Sequence, residues 1–95
     1  DTHAQFFLAN MYLEGNGIEQ NKAEAYRWYR SGAEQGTHHF PMYKLSECYR
    51  DGIGVEKNLE EAEKWAVKAK ELKAKQVAEL EQLETEEGDD GSDED

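Results

Sequence analysis

The sequence repeats itself at an offset of 37 residues, and this period constrains the fold more than any other feature. Residues 12–18 (YLEGNGI) recur as residues 49–55 (YRDGIGV), and the register extends to Leu8 and Leu45 and to Trp28 and Trp65. A fixed period of this size is typical of proteins built from stacked supersecondary units. The chain is therefore predicted to contain two copies of one unit, which bury their apolar faces against each other.

Each repeat carries two runs in which apolar residues recur at spacings of three and four, a pattern that predicts amphipathic helices. We expect an all-α chain in which each repeat is a helix-turn-helix unit. In chain order, the predicted buried stripes are Ala4, Leu8, Met11 and Tyr12; Ala25, Trp28, Tyr29 and Ala33; Leu45, Cys48 and Tyr49; and Ala62, Trp65 and Ala69.

Capping residues and glycines set the predicted helix ends. Three capping boxes start helices, and Pro41 suits the first turn of the third helix. Glycines then stop the helices, and Gly17 and Gly54 bend the loops. Gly32 is small enough for a neighbouring helix to approach. The capping boxes are Thr2 with Gln5, Asn21 with Glu24 and Asn58 with Glu61, and the stopping glycines are Gly15, Gly36 and Gly52.

These signals divide the chain into two repeats and a tail. Lys73 stands where repeat 1 has Gly36, so the last helix is expected to run on until about Glu84. The segment after it is rich in acidic residues and is predicted to be disordered. The expected units are repeat 1 at 1–36 (helices about 3–14 and 22–35), repeat 2 at 37–75 (helices about 41–51 and 59–75), a helix extension at 76–84 and an acidic tail at 85–95.

Charge and cysteine content exclude several classes of function. The net charge is −11, and residues 76–95 hold ten acidic residues and no Lys or Arg. This argues against nucleic-acid binding, which needs a basic surface. No apolar run is long enough to span a membrane. The lone Cys48 favours a reducing compartment, so we expect a cytoplasmic protein, with the endoplasmic-reticulum lumen left open. The chain begins just before a helix signal and has no initiator Met, which suggests a fragment.

The residues that could carry chemistry have simpler structural explanations. His3, His38 and His39 lack a Cys or Asp at metal-ligand spacing, so solvent-exposed connector histidines are expected. Cys48 lies on an apolar stripe and is expected to be a buried small side chain rather than a nucleophile. We predict no metal, no cofactor and no catalytic site in this chain.

The pattern Ala-x3-Leu-x3-Tyr-x2-Gly-x-Gly-Ile/Val-x2-Asn-x3-Ala-x2-Trp resembles the SEL-one-like repeat, which is related to the tetratricopeptide repeats. The resemblance covers residues 4–36 and 41–73. Pro41, Ser46 and Ala66 depart from the family pattern in ways that suit a final repeat. The resemblance implies an α/α right-handed superhelix, or solenoid, whose concave surface binds a protein or peptide.

In such a superhelix the first helix of each repeat lines the concave surface. The resemblance therefore implies a partner-binding site of Phe7, Asn10 and Glu14 in repeat 1 and Lys44, Glu47 and Asp51 in repeat 2. Phe7 could instead form the seam to a further repeat. We expect a scaffold or adaptor module. The alternative is a regulatory or substrate-targeting C-terminal domain of an enzyme such as an atypical protein kinase. The acidic tail is either a solvated terminus without a partner or a segment that binds a basic partner sequence.

Overall fold

The computed structural model describes residues 1–92, and the surroundings of side chains for residues 1–83. It contains α1 (Thr2–Glu14), α2 (Lys22–Glu34), α3 (His39–Asp51) and α4 (Leu59–Ser92). These described residues form no strand. Each helix packs on its neighbour in the chain, α1 on α2, α2 on α3 and α3 on α4. The predicted all-α fold of two helix-turn-helix repeats is confirmed.

The two loops within the repeats have the same geometry. Gly15 and Gly52 end α1 and α3 in the left-handed conformation, with φ of 71° and 72°. The backbone N–H of Asn21 then donates to the Tyr12 carbonyl at 2.8 Å, and Asn58 donates to the Tyr49 carbonyl at 2.8 Å. These bonds tie the start of each second helix to the end of the first. The 37-residue period thus marks a repeated structural joint.

In each predicted capping box of a second helix, one of the two expected hydrogen bonds is confirmed. The Oδ1 atoms of Asn21 and Asn58 accept from the backbone N–H groups of Glu24 and Glu61 at 3.1 Å. The reciprocal bond from the glutamate to the asparagine N–H is replaced by the bond from that N–H to the preceding helix. Glu24 instead accepts from Arg27 at 2.7 Å.

The predicted cap of the first helix is wrong, and the third helix begins two residues before its predicted start. Asp1, not Thr2, caps α1, since its Oδ1 accepts from the His3 N–H at 3.0 Å. Thr2 is buried and donates to Gln35 Oε1 at 2.5 Å, so its hydroxyl joins α1 to the end of α2. The third helix starts at His39 rather than Pro41. Pro41 is still within the first turn, where no intrahelical partner for its nitrogen is needed.

Small side chains dominate the core between the helices. One cluster joins Ala9, Ala25, Tyr29 and Cys48, and the other joins Ala33, Met42, Leu45 and Ala69. A Cβ atom added at Gly32 would lie 3.2 Å from the Pro41 Cβ, so the expected close approach of a helix is confirmed. Three of the predicted stripes, those of α2, α3 and α4, hold most of these buried residues.

The predicted stripe of α1 is wrong for Ala4 and Met11, whereas Tyr12 packs against the core. Ala4 is exposed, Leu8 is half-buried and Met11 is 37% exposed, whereas the buried residues of α1 are Thr2 and Ala9. The equivalent face of α3 is buried because α2 lies over it. Among the described residues α1 packs mainly on α2 and meets α3 through the ring of Phe40, so the side of α1 that faces neither helix is left uncovered.

The last helix extends well beyond the packed repeats. Trp65, Ala69 and Leu72 pack on α3, and Gln76 Nε2 donates to the Thr37 carbonyl at 3.0 Å. Val77, Leu80 and Leu83 are exposed. The helix continues to Ser92, past the predicted end at Glu84 and through most of the segment that we expected to be disordered. Glutamate is a good helix former, and propagation needs no new nucleus. Residues 93–95 lie outside the described part.

None of the helices in the described part of the chain is both long enough and apolar enough to cross a membrane.

Candidate binding surface

Tyr29 of α2 lies between α1 and α3. Its side chain is buried, and its hydroxyl donates to Asn10 Oδ1 on α1. The ring contacts Phe6 of α1, with centroids 5.6 Å apart, and packs in one cluster with Cys48 of α3. One residue of α2 therefore contacts both helices that carry the predicted site.

Two carboxylates lie close enough to Tyr29 to affect its ionisation. Burial raises the pKa of the Tyr29 hydroxyl far above its usual value, and the charges of Cys48, Glu14 and Glu47 raise it further. Glu14 comes from α1 and Glu47 from α3, so each of these two helices contributes a carboxylate whose charge acts on the tyrosine. The hydroxyl stays protonated and keeps Asn10 oriented.

The remaining predicted residues are accessible. Lys44 Nζ lies 3.5 Å from Glu47 Oε1, and both side chains are partly exposed. Asp51 is paired with Arg50 through two contacts of 3.1 and 3.0 Å. We refer to Asn10, Glu14, Lys44, Glu47 and Asp51 together as the α1–α3 surface.

Phe7 differs from the rest of the predicted site. Its side chain is 65% exposed, the largest exposure among the large apolar side chains of the described residues. No ring contact joins it to another aromatic residue in that part of the chain. Phe7 lies on the side of α1 that α2 does not cover.

An aromatic cluster that the sequence analysis missed closes one end of the α1–α3 surface. Phe6 and Phe40 have ring centroids 4.7 Å apart, and the rings of His3 and His38 lie 4.6 Å apart. The predicted solvent-exposed connector is therefore wrong for His38 and His39. Both are half-buried, and His39 begins α3. The signal was available, because His3 and Phe40 occupy equivalent positions of the two repeats.

In the part of the chain that the structure describes, no three His, Cys, Asp or Glu side chains converge as metal ligands would. A separate shallow hollow of 510 Å³ lies on the outer side of α4, lined by Glu60, Glu63, Lys64, Val67 and Lys68. All its lining residues come from one helix. Its carboxylates, on Glu60 and Glu63, serve as a control for charge changes on the α1–α3 surface.

Cys48 is buried, 2% exposed, which confirms the prediction of a small core side chain. Burial raises the pKa of its thiol from 9.0 to about 11, and the charge of Glu47 adds to the effect. The folded state therefore favours the protonated thiol.

The raised pKa predicts a specific alkaline loss of stability. The contribution of Cys48 is complete below pH 9.0 and is lost as the pH rises through about 11. Between those values the wild type should lose about 1–2 kcal/mol more than Cys48→Ala, measured by urea unfolding. Ionisations that do not involve Cys48 cancel in the difference, whereas the effect of the Cys48 charge on the pKa of Tyr29 stays in it. Parallel stability curves for the two proteins would contradict the assignment.

Comparison with known proteins agrees with the fold described above. The model of the Sel1 repeat family matches residues 2–37 and 42–73. The solved structure of a Sel1 repeat protein from Oxalobacter formigenes is similar with a TM-score of 0.72 and 38% identity, covering 75% of this chain and 29% of that one. A protective antigen of uropathogenic Escherichia coli with an SLR fold has the same TM-score of 0.72 and 38% identity, covering 75% of this chain and 15% of the antigen.

This chain thus spans less than a third of the length of either solved relative. A search of curated proteins gave no match.

Proposed function

Because this chain belongs to the Sel1 repeat family, whose repeats generally mediate protein binding, we propose that its α1–α3 surface binds a polypeptide segment of a partner protein. The observation that supports this site is the hydrogen bond from Tyr29 to Asn10, flanked by Glu14 on one helix and Glu47 on the other. Asn10 uses its Oδ1 for Tyr29, which leaves its amide N–H groups as donors for a ligand. Such a fixed amide suits the backbone of an extended segment.

The composition of the surface indicates the chemistry of the segment. The end near Phe6 and Phe40 is aromatic and suits an apolar side chain. The end near Glu14, Glu47 and Asp51 is acidic and suits Lys or Arg. The acidic run from Glu79 onward adds long-range attraction for the same class of ligand. We therefore propose a basic segment with an apolar anchor.

Peptides selected from a random library against the full chain test this proposal. We expect the selected peptides to be enriched in Lys or Arg beside an apolar residue. The double variant Glu14→Lys/Glu47→Lys should weaken their binding at least about tenfold, because it converts attraction into repulsion. Calorimetry at two salt concentrations measures the change.

The matched control is Glu60→Lys/Glu63→Lys, which changes the net charge equally but on the outer hollow of α4. It should alter the affinity less than about twofold. Circular dichroism checks that both variants remain helical. Equal weakening by the two variants would show a non-specific charge effect, and the proposed site would then be wrong.

A further inference from the structure

One face of α4 carries residues at alternating spacings of three and four, the spacing of positions that meet in paired helices. Val77 and Leu80 form its apolar centre and are 43% and 60% exposed. Lys70 and Lys73 precede them on the same face and are also exposed. In the sequence the spacing continues within the same helix, which runs to Ser92. We call this set the α4 heptad face, and it consists of Lys70, Lys73, Val77, Leu80, Glu84 and Glu87.

The sequence places no residue of opposite charge beside the charged members of this face within their own helix. Positions three or four apart are neighbours on a helix. At these distances from Lys70 and Lys73 the sequence holds only Ala, Val, Gln and Lys. At the same distances from Glu84 and Glu87 it holds only Leu, Gly and acidic residues. By contrast, Lys75 has a glutamate four positions away on either side.

An antiparallel pair of α4 heptad faces brings opposite charges together. With a two-fold axis through the apolar centre, the valine of one copy meets the leucine of the other. The same register pairs Lys73 with Glu84 and Lys70 with Glu87. Each of these contacts is made twice, because a two-fold interface repeats every contact. A parallel pair would place Lys against Lys and Glu against Glu, which is destabilising.

Other occupants fit this face less well. Lys70 stands at the position that Ala33 holds in α2, and Ala33 is buried in one cluster with residues of α3. A further repeat docked in that way would bury the lysine charge without a partner. A uniformly basic segment would be repelled by the lysines, and a uniformly acidic one by Glu84 and Glu87. A second copy changes its charge at the same point and complements the whole face.

We propose that two copies of this chain associate through antiparallel α4 helices, with Val77 and Leu80 at the centre and lysine–glutamate pairs on both sides. The wider charge pattern supports the same orientation. Residues 64–75 hold five lysines and one glutamate, whereas residues 76–92 hold seven acidic residues and no Lys or Arg. The flanking surfaces of the two copies therefore attract each other as well. This interface is separate from the α1–α3 surface and does not depend on the function proposed for it.

Sedimentation velocity of the full chain at increasing concentration tests the association, and we expect a reversible monomer–dimer equilibrium. Lys70→Glu/Lys73→Glu should weaken it at least about tenfold, because glutamate then opposes glutamate. The matched control adds Glu84→Lys and Glu87→Lys to that variant. It reverses every pair, keeps the net charge of the wild type and should restore the association to within about threefold. A wild type that stays monomeric at about 1 mM, or a control no stronger than the double variant, would overturn the proposal.

Disulfide formation tests the orientation of the two helices. In the Cys48→Ala background, one chain carries Lys73→Cys and another carries Glu84→Cys. The two are mixed in a glutathione buffer that allows exchange, and mass spectrometry of the intact dimers gives the yields. Antiparallel pairing should favour the disulfide between different chains at least about tenfold over either disulfide between identical chains, against about twofold for random pairing. Random yields, or an excess of disulfides between identical chains, would overturn the proposal.

Discussion

Replacing Gly54 with alanine should lower the free energy of unfolding by more than about 3 kcal/mol. Gly54 has a φ of +71°, which strains any residue with a Cβ atom. An added Cβ would also lie 2.1 Å from the Lys22 carbonyl oxygen and 3.0 Å from the Tyr26 Cβ. The first contact is with backbone, so a rotamer change cannot relieve it. The loop of repeat 2 would have to move away from the start of α2.

Gly36→Ala is the control for this substitution. Gly36 has the same φ of +71°, but nothing lies within 4 Å of its added Cβ. Gly36→Ala should lower the free energy of unfolding by about 1 kcal/mol, because only the unfavourable φ of the alanine contributes. Thermal unfolding separates the two, since each kcal/mol shifts the Tm by roughly 4–8 °C in a domain of this size. Equal losses at both positions would show that the loop does not press on α2.

Replacing Leu45 with alanine should lower the free energy of unfolding by about 3–5 kcal/mol. Leu45 is 0% exposed and packs in one cluster with Ala33, Met42 and Ala69. Two of these neighbours are alanines without rotatable side chains, so they cannot fill the space that the leucine leaves. Part of the cavity should therefore persist, and its cost adds to the lost burial.

The repeat supplies the control for Leu45. Leu8 holds the equivalent position in repeat 1, but it is only half-buried because no helix of the described residues covers that side of α1. Leu8→Ala should cost about 1 kcal/mol, in proportion to its smaller buried area. Urea unfolding of both variants gives the comparison. A loss at Leu8 as large as that at Leu45 would be incompatible with an uncovered α1.

The local features of the fold could be predicted from the sequence. Gly15 and Gly52 end their helices, and Asn21 and Asn58 cap the next ones, because these bonds join residues only a few positions apart. The burial of Leu45 also followed from helical spacing. Because the same pattern occurs in both repeats, each repeat predicts these helix ends and caps separately.

Features that depend on distant contacts could not be predicted in the same way. The spacing of Leu8 and Met11 is that of a core stripe, but burial depends on whether a second helix lies over it. The bond from Tyr29 to Asn10 and the contact of Phe6 with Phe40 require the positions of three helices at once. Glu14 and Glu47, 33 positions apart in the sequence, come near the same tyrosine only in the folded chain.

NMR mapping tests most directly whether the α1–α3 surface holds the partner segment. The full chain, labelled with ¹⁵N, is titrated with a peptide selected against it. We predict that the largest chemical-shift changes fall on Asn10, Glu14 and Glu47, and that the Asn10 side-chain amide is among them. Saturable changes centred on the outer hollow of α4, with the α1–α3 amides unmoved, would contradict the claim.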